Sequence, residues 1–232
     1  RTQGMETIIG PLGFSDMDHE GMLIDGFDQI GTIATIYNYP YYADHMERMG
    51  YTKDIDWVEY RIKIPESIPD KYARIAQIVK TKYNLRSVPL KSRKIVKERY
   101  GKALFKLINE AYSDLYGFSP LTDRQIDHYV DQYLGLIRLD CVSMIVDSND
   151  DIVAVGISMP SLSKGLIKSR GKLFPTGWIH LLKSLKGKSE VVDLLLVAVK
   201  PEYQNKGVNA LIFNDLIPAF NAAGYKEAES NP

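Results

Sequence analysis

The feature that most constrains the fold is an apolar run of strand length followed by a polar loop and an amphipathic helix. Val191–Val199 is almost entirely apolar, which predicts an interior strand covered on both faces. Residues 200–206 are polar and predict a tight loop. From Val208 to Phe220 the apolar residues recur at a spacing near 3.6, and Gly224 is expected to end that helix.

The loop before this helix has the properties of an anion site. A loop that delivers Gly207 to a helix start leaves several backbone N–H groups without partners, beside the positive end of the helix dipole. A side chain at Gly207 would hold an anion away from the backbone, and Lys206 adds a positive charge. The alternative is an ordinary connection between a strand and a helix.

The run V-A-V-K-P-E-Y-Q-N-K-G-V-N-A, residues 197–210, resembles the acyl-CoA-binding motif of the GNAT N-acetyltransferase superfamily. Gln204 and Gly207 match the family's loop pattern, whereas Asn209 departs from it at a position that is normally small. The resemblance implies that the strand binds the pantetheine arm of acetyl-CoA, the cosubstrate, and that loop N–H groups bind the pyrophosphate. The cofactor-binding residues that it implies are Val197, Ala198, Val199, Gln204, Asn205, Lys206, Gly207, Val208, Asn209, Ala210 and Asn231.

Asp193 is the candidate general base. Period 2 along a strand predicts that it shares a face with Val197 and Val199. In several family members a Glu at this place removes the proton of the acceptor. A carboxylate in an apolar strand costs free energy unless it is paired or solvated, which favours a cleft here. The alternative is a solvated strand end.

Tyr41 and Tyr42 are candidates for a catalytic acid. They belong to a segment, residues 37–42, that holds four tyrosines. In the family a Tyr on a helix often protonates the departing thiolate, and the resemblance implies that role here. Aromatic packing at the start of a helix is the alternative, and we favour it.

Composition limits the partners. Twenty-nine basic residues balance twenty-nine acidic ones, which argues against bulk nucleic-acid binding. No apolar run approaches the roughly 20 residues that a bilayer-spanning helix needs, so we expect no stable membrane insertion. The single Cys141 fits a reducing compartment, and we expect a cytoplasmic protein with a buried Cys141. The acidic segment Asp16–Glu20 has no known metal-site spacing, so we expect no metal.

The element order supports the same family. A hairpin is predicted from Cys141–Val146 and Ile152–Met159, and helices are predicted at Tyr41–Met49 and around residues 70–83, 96–111 and 122–133. Alternation over Ile55–Ile64 predicts another strand. The two ends of the chain resemble each other, which suggests tandem copies. We expect residues 1–65 to close a first copy, 66–83 to form a linker helix, and 84–232 to form the opening half and core of a second copy, in a fragment of a longer bacterial protein.

The insertion Ser161–Glu190 interrupts the expected fold. It contains seven Lys or Arg residues and a single acid, interleaved with Leu, Ile, Phe and Trp. Such a segment suits a membrane surface or an anionic ligand. The alternative, which we favour, is an amphipathic cover whose lysines lie in water.

Together these patterns predict a mixed α/β (α+β) fold of GNAT type, with a largely antiparallel sheet flanked by helices. The resemblance implies an acetyl-CoA-dependent N-acetyltransferase that acts on a primary amine of a small molecule or peptide. A catalytically silent GNAT-like module that binds a ligand or partner is the alternative.

Overall fold

The computed structural model describes residues 3–15, 18–133 and 137–231. Asp16 of the acidic segment and the terminal Pro232 lie outside these ranges. The described strands are β1 (Arg61–Lys63), β2 (Arg86–Ser87), β3 (Val142–Val146), β4 (Ile152–Pro160), β5 (Val191–Val199) and β6 (Glu227–Ser230). The described helices are α1 (Tyr41–Arg48), α2 (Asp70–Lys82), α3 (Arg93–Ala111), α4 (Asp123–Tyr133), α5 (Ser163–Ser169), α6 (Gly177–Lys183) and α7 (Asn209–Ala223).

The strands form one sheet in the order β1-β6-β5-β4-β3-β2. All neighbours are antiparallel except β5 and β6, which run parallel because α7 crosses over between them. The predicted mixed, largely antiparallel sheet is therefore confirmed. The predicted hairpin is confirmed as β3 and β4, and Val191–Val199 is a strand over its whole predicted length.

Helices cover both faces of the sheet, so the core has two halves. One face packs against α3 and α4 through residues such as Leu104, Ile126 and Met144. The opposite face packs against α2 and α7 through residues such as Val79 and Ile212. We call them the α3/α4 face and the α2/α7 face. A sheet sandwiched in this way needs strands that are apolar on both sides, which is what β4 and β5 supply.

Helix α7 lies close to the sheet where β4 carries Gly156. A Cβ atom at this position would lie 2.5 Å from Cγ2 of Ile212 on α7. The absence of a side chain at Gly156 therefore sets how near the helix, and the loop before it, can approach β5. Cys141 is buried as expected, and burial raises its thiol pKa to about 11, so it is a poor nucleophile at neutral pH.

One predicted strand is much shorter in the structure. The alternating segment Ile55–Ile64 is a strand only at Arg61–Lys63. Among the described residues, the strand that pairs with β1 is the four-residue β6, which is too short to pair with the rest of the segment. Since β1 forms the edge of the same sheet as β5, the boundary between the two predicted copies stays a prediction.

Two features are absent from the described residues. No helix there is long and apolar enough to cross a bilayer. Nor do those residues hold three or more His, Cys, Asp or Glu side chains placed to bind a metal ion. The prediction of a cytoplasmic location is not tested by either result.

Candidate active site

A cleft lies where β5 ends and α7 begins. Its volume is about 350 Å³. The residues that line it are Ala111, Tyr112, Val197, Val199, Tyr203, Gln204, Asn205, Gly207, Val208 and Asn209. Seven of the predicted cofactor-binding residues thus meet around one space, together with the C-terminal end of α3.

One wall of the cleft is an unpaired edge of β5. β6 pairs with β5 only from Val191 to Leu194, and no other described strand pairs with this edge beyond that point. The second half of β5 therefore pairs with a strand, β4, on one side and has no strand on the other. The open edge begins where β6 ends.

A β-bulge in the middle of β5 fixes which backbone groups reach this edge. Leu196 pairs with Ile157 and Leu194 pairs with Ser158, so Leu195 is an extra residue without a partner. After the bulge, the Lys200 N–H donates to Val153 O over 2.8 Å. Bonding alternates along an antiparallel ladder, so the backbone groups of Val197 and Val199 point away from β4 and into the cleft.

Two side chains already donate hydrogen bonds to backbone carbonyl groups on this edge. The Tyr112 hydroxyl donates to Val197 O over 3.3 Å, and Gln204 Nε2 donates to Val199 O over 3.0 Å. Gln204 Nε2 also lies 3.4 Å from Ala111 O. The Gln204 side chain therefore ties the end of β5 to the end of α3.

The loop after β5 presents a group of free N–H donors. Within the described ranges, the N–H groups of Asn205, Gly207, Val208 and Asn209 donate to no other residue, whereas Ala210 N donates to Gly207 O over 3.0 Å. Asn205 and Gly207 both have positive φ, at 57° and 78°. These conformations turn successive N–H groups toward one side, as anion-binding loops do.

The reason for a glycine at position 207 differs from the predicted one. A Cβ atom there would lie 3.0 Å from Cγ2 of Ile75 and 3.5 Å from Cγ2 of Val79, both on α2. The side chain would point into the helix packed behind the loop. Gly207 is thus required by its positive φ and by the contact with α2.

The other predicted loop residues divide into two groups. Asn209 is exposed at the cleft, while Val208 and Ala210 are buried against the α2/α7 face. The Lys206 ammonium lies 5.6 Å from the Tyr83 ring centre and 5.8 Å from that of Tyr203. These aromatic contacts hold its charge beside the loop.

Asp193 is fully buried, with an exposed fraction of 0%. Neither carboxylate oxygen makes a hydrogen bond of normal geometry within the described ranges, although the Ser161 hydroxyl lies near enough to favour the charged form. Burial raises its pKa to about 6, and the negative charges of Glu229 and Glu59 act in the same direction. This is not a solvated strand end.

The bulge corrects the predicted orientation of Asp193. Its neighbours Val192 and Leu194 pack on the α2/α7 face, as Val199 does, so the Asp193 side chain points to the α3/α4 face. The extra Leu195 reverses the alternation, and Asp193 does not share a face with Val197 and Val199.

Acidic residues surround Asp193 on the α3/α4 face. Glu229 is its direct neighbour in the parallel ladder, and burial raises the pKa of Glu229, with Glu59 and Glu227 adding to the rise and Arg61 opposing it. Glu59 is exposed and accepts a hydrogen bond from the Thr35 hydroxyl over 2.7 Å. Exposure therefore increases from Asp193 to Glu229 to Glu59.

Asn231 lies at the fork where β6 leaves β5. Its Nδ2 donates to Leu194 O over 2.9 Å, and its Oδ1 accepts from the Thr32 hydroxyl over 2.7 Å. The side chain joins β5 to the segment before α1. Its predicted role in cofactor binding stays a prediction.

The tyrosines of α1 are not part of the cleft lining. Tyr41 stacks on Tyr39 and contacts Tyr42 and His45, so its ring contacts are local. Tyr41 and Tyr42 are both about half exposed. A catalytic role for either one stays a prediction. Sequence reasoning missed Tyr112, which lines the cleft at the end of α3, because nothing in the local pattern distinguishes it from a packing residue.

Two curated relatives cover most of the chain. Protein YghO of Escherichia coli is 26% identical over 224 residues, which cover 94% of this chain and 55% of that protein. Bacterial ceramide synthase of Caulobacter vibrioides is 29% identical over 212 residues, which cover 88% of this chain and 52% of that protein. The chain thus spans about half the length of the curated relatives it matches. No protein-family profile matches it.

Solved structures give weaker likenesses. A GCN5-related glucosamine N-acetyltransferase region of a fungal multi-domain β-N-acetylglucosaminidase is 14% identical, with a TM-score of 0.44, covering 81% of this chain and 19% of that one. L-PGS of Bacillus licheniformis is 14% identical, with a TM-score of 0.39, covering 75% of this chain and 45% of that one. Both TM-scores are too low to support a functional argument.

The relatives correct the predicted function. The name of the Caulobacter protein denotes an enzyme that makes a ceramide, which is a lipid, and not an enzyme that acetylates a small amine. The prediction of an acetyl-CoA-dependent N-acetyltransferase acting on a small molecule or peptide is therefore wrong.

Proposed function

We propose that this chain forms the acyl-transfer site of a lipid acyltransferase. The donor would be a long-chain acyl thioester of a phosphopantetheine arm, and the acceptor would be the amine of a lipid. The observation that carries the proposal is that one strand, β5, carries both the open edge at the cleft and, just before that edge begins, the buried carboxylate of Asp193, which is not among the residues that line the cleft, in a chain whose relatives include a ceramide synthase.

The cleft suits the donor. The free N–H groups of Asn205, Gly207, Val208 and Asn209 and the charge of Lys206 would bind phosphate. A pantetheine arm could extend along Val197 and Val199 and accept hydrogen bonds from their N–H groups, since their carbonyl groups already accept from Tyr112 and Gln204. An N–H on this edge would polarise the thioester carbonyl where negative charge develops.

The α3/α4 face suits the acceptor. A lipid amine is a cation at neutral pH, and the carboxylates of Glu59, Glu229 and Asp193 would attract it. Asp193 would accept the amine proton, because a base with a pKa of about 6 is ionised at neutral pH yet still basic. The substrate ammonium would lose one proton to solvent before the attack and a second to Asp193 as its nitrogen forms the amide bond; the carbon–sulfur bond would break, and the thiolate would leave and take up a proton. Glu229 and Glu59 offer the proton a route to solvent.

The test is a product assay by mass spectrometry. The protein would be incubated with acyl-CoA donors from two to eighteen carbons and a long-chain amino alcohol. We expect the amide product only with the longer acyl groups, and no product with Asp193→Asn. A second arm would replace the CoA donor with the same acyl group on an acyl carrier protein, since both sources present the same arm.

The matched control is Glu98→Gln, a carboxylate on the surface of α3. It should leave the product yield unchanged. Preference for acetyl over long-chain donors, or equal yields from Asp193→Asn and the unaltered protein, would refute the proposal.

A further inference from the structure

We infer that helices α5 and α6, with the loop between them, dock on the surface of an anionic lipid bilayer. With the π-helical turn that continues α6, this α5–α6 hairpin, residues 163–186, lies within the insertion that interrupts the sheet between β4 and β5. The docking itself does not depend on the proposed reaction. The purpose that we assign to it, collecting a lipid acceptor from the bilayer, rests on the proposed function.

The tip of the hairpin is apolar and exposed. Leu173 and Phe174 follow the end of α5, with exposed fractions of 52% and 76%. Trp178 begins α6 beside them, and its Nε1 donates to Pro175 O over 3.0 Å, which holds the indole at the tip. Ile167 on α5 and Leu182 on α6 are also exposed apolar side chains. Tip residues of this kind suit insertion into the headgroup region of a bilayer.

Basic side chains lie along the whole hairpin. The exposed ones in the hairpin are Lys164, Lys168, Arg170, Lys172, Lys183 and Lys186. Apart from Lys164, which lies near Glu190, none of these interacts with a carboxylate of the described residues. The surface is therefore complementary to negative charge.

The hairpin is rigid enough to present this surface as a unit. At Gly165 the two helices approach so closely that a Cβ atom would lie 2.8 Å from Ser184 Oγ and 3.1 Å from His180 O. At its base, the Ser163 hydroxyl donates to Gly31 O over 2.7 Å. A fixed hairpin loses little conformational entropy when it docks.

The combination favours a bilayer over a nucleic acid. A phosphate backbone would be bound by the basic residues alone, and exposed Leu173 and Phe174 would gain nothing from it. An anionic bilayer uses both the charges and the apolar tip. The base of the hairpin also adjoins Asp193 through Ser161, so an acceptor taken from the surface would have a short path to the site.

The test is vesicle binding by the full chain without donor or acceptor. Vesicles of phosphatidylcholine with about 30 mol % phosphatidylglycerol would be compared with pure phosphatidylcholine at about 0.1 M salt. In Trp57→Phe the sole Trp is Trp178, whose emission should shift to the blue on binding. Phe174→Ser should weaken vesicle partitioning about tenfold or more, and Lys172→Gln should weaken it about fivefold.

Ile95→Ser is the matched control, because Ile95 on α3 is exposed to 57%, similarly to the tip residues, but lies outside the hairpin. It should leave binding unchanged. The inference is overturned if anionic vesicles do not bind, if Ile95→Ser weakens binding as much as Phe174→Ser, or if duplex DNA displaces the protein from the vesicles. Since no substrate is present, failure of docking and failure of the proposed reaction are separate outcomes.

Discussion

Replacing Asp193 with Asn should make the folded protein more stable at neutral pH. Burial raises the Asp193 pKa from 3.8 to about 6, so folding disfavours its ionised form. Below about pH 4 the Asp193 carboxyl is protonated in both the folded and the unfolded state, so its ionisation does not lower the unfolding free energy. The cost grows as pH rises from about 4 to about 6, where the carboxyl is ionised in the unfolded chain but still protonated in the folded protein, and it is constant above that range.

The size of the effect follows from the shift. A change of about 2 pKa units corresponds to about 3 kcal/mol of unfolding free energy at pH 8. For a chain of this length, that corresponds to a rise in melting temperature of roughly 6–12 °C. Asn also loses hydrogen bonds to water on burial, but that cost does not vary with pH. The diagnostic quantity is therefore how the difference in stability between Asp193→Asn and the unaltered protein changes with pH.

The assay is thermal denaturation of both proteins from pH 4 to pH 8. The difference in melting temperature, Asp193→Asn minus the unaltered protein, should rise with pH and level off above pH 7. The surface variant Glu98→Gln should show no such rise. A difference that stays flat with pH would mean that Asp193 is paired or solvated, and the assignment of a buried base would be wrong.

Further predictions concern the cleft. Asn209→Glu should weaken CoA binding about tenfold or more in calorimetry, because it sets a carboxylate beside the expected phosphate, whereas Asn209→Ala should bind at least as tightly. Gly207→Ala should lower the unfolding free energy by about 1–3 kcal/mol in denaturant titration, owing to positive φ and the contact with Ile75; unchanged stability would contradict this. Tyr112→Phe should slow thiol release in a steady-state assay without changing CoA affinity, if its hydroxyl protonates the thiolate. The rate of the unaltered protein should rise with pH through about 6, as Asp193 ionises; a rate independent of pH there would exclude it as the base.

The sequence predicted the elements with continuous or strongly periodic patterns. Val191–Val199 is apolar throughout, so its bounds follow from its composition alone. The segment Ile55–Ile64 alternates as a strand should, but alternation shows only that a strand is possible. Its partner is the short β6, formed by residues far away in the sequence, and so most of the segment has no strand to pair with.

The bulge could not be predicted from local pattern. Leu194, Leu195 and Leu196 are identical, so no residue marks the place where the alternation reverses. The same holds for Gly207, because its close approach to Ile75 on α2 joins residues more than a hundred positions apart in the sequence. Both errors arise from tertiary contacts that a local pattern does not contain.

The bulge at Leu195 also determines from which side each substrate reaches the reaction centre. Because it turns the backbone of Val197 and Val199 to the open edge while Asp193 faces α3 and α4, the donor would lie along the edge of the sheet and the acceptor would enter from the α3/α4 face. The α5–α6 hairpin begins beside that same entrance. Deleting Leu195 would restore strict alternation and move Asp193 to the other face relative to the cleft. The proposed reaction therefore requires the extra residue, although Leu195 itself touches neither substrate in the arrangement proposed.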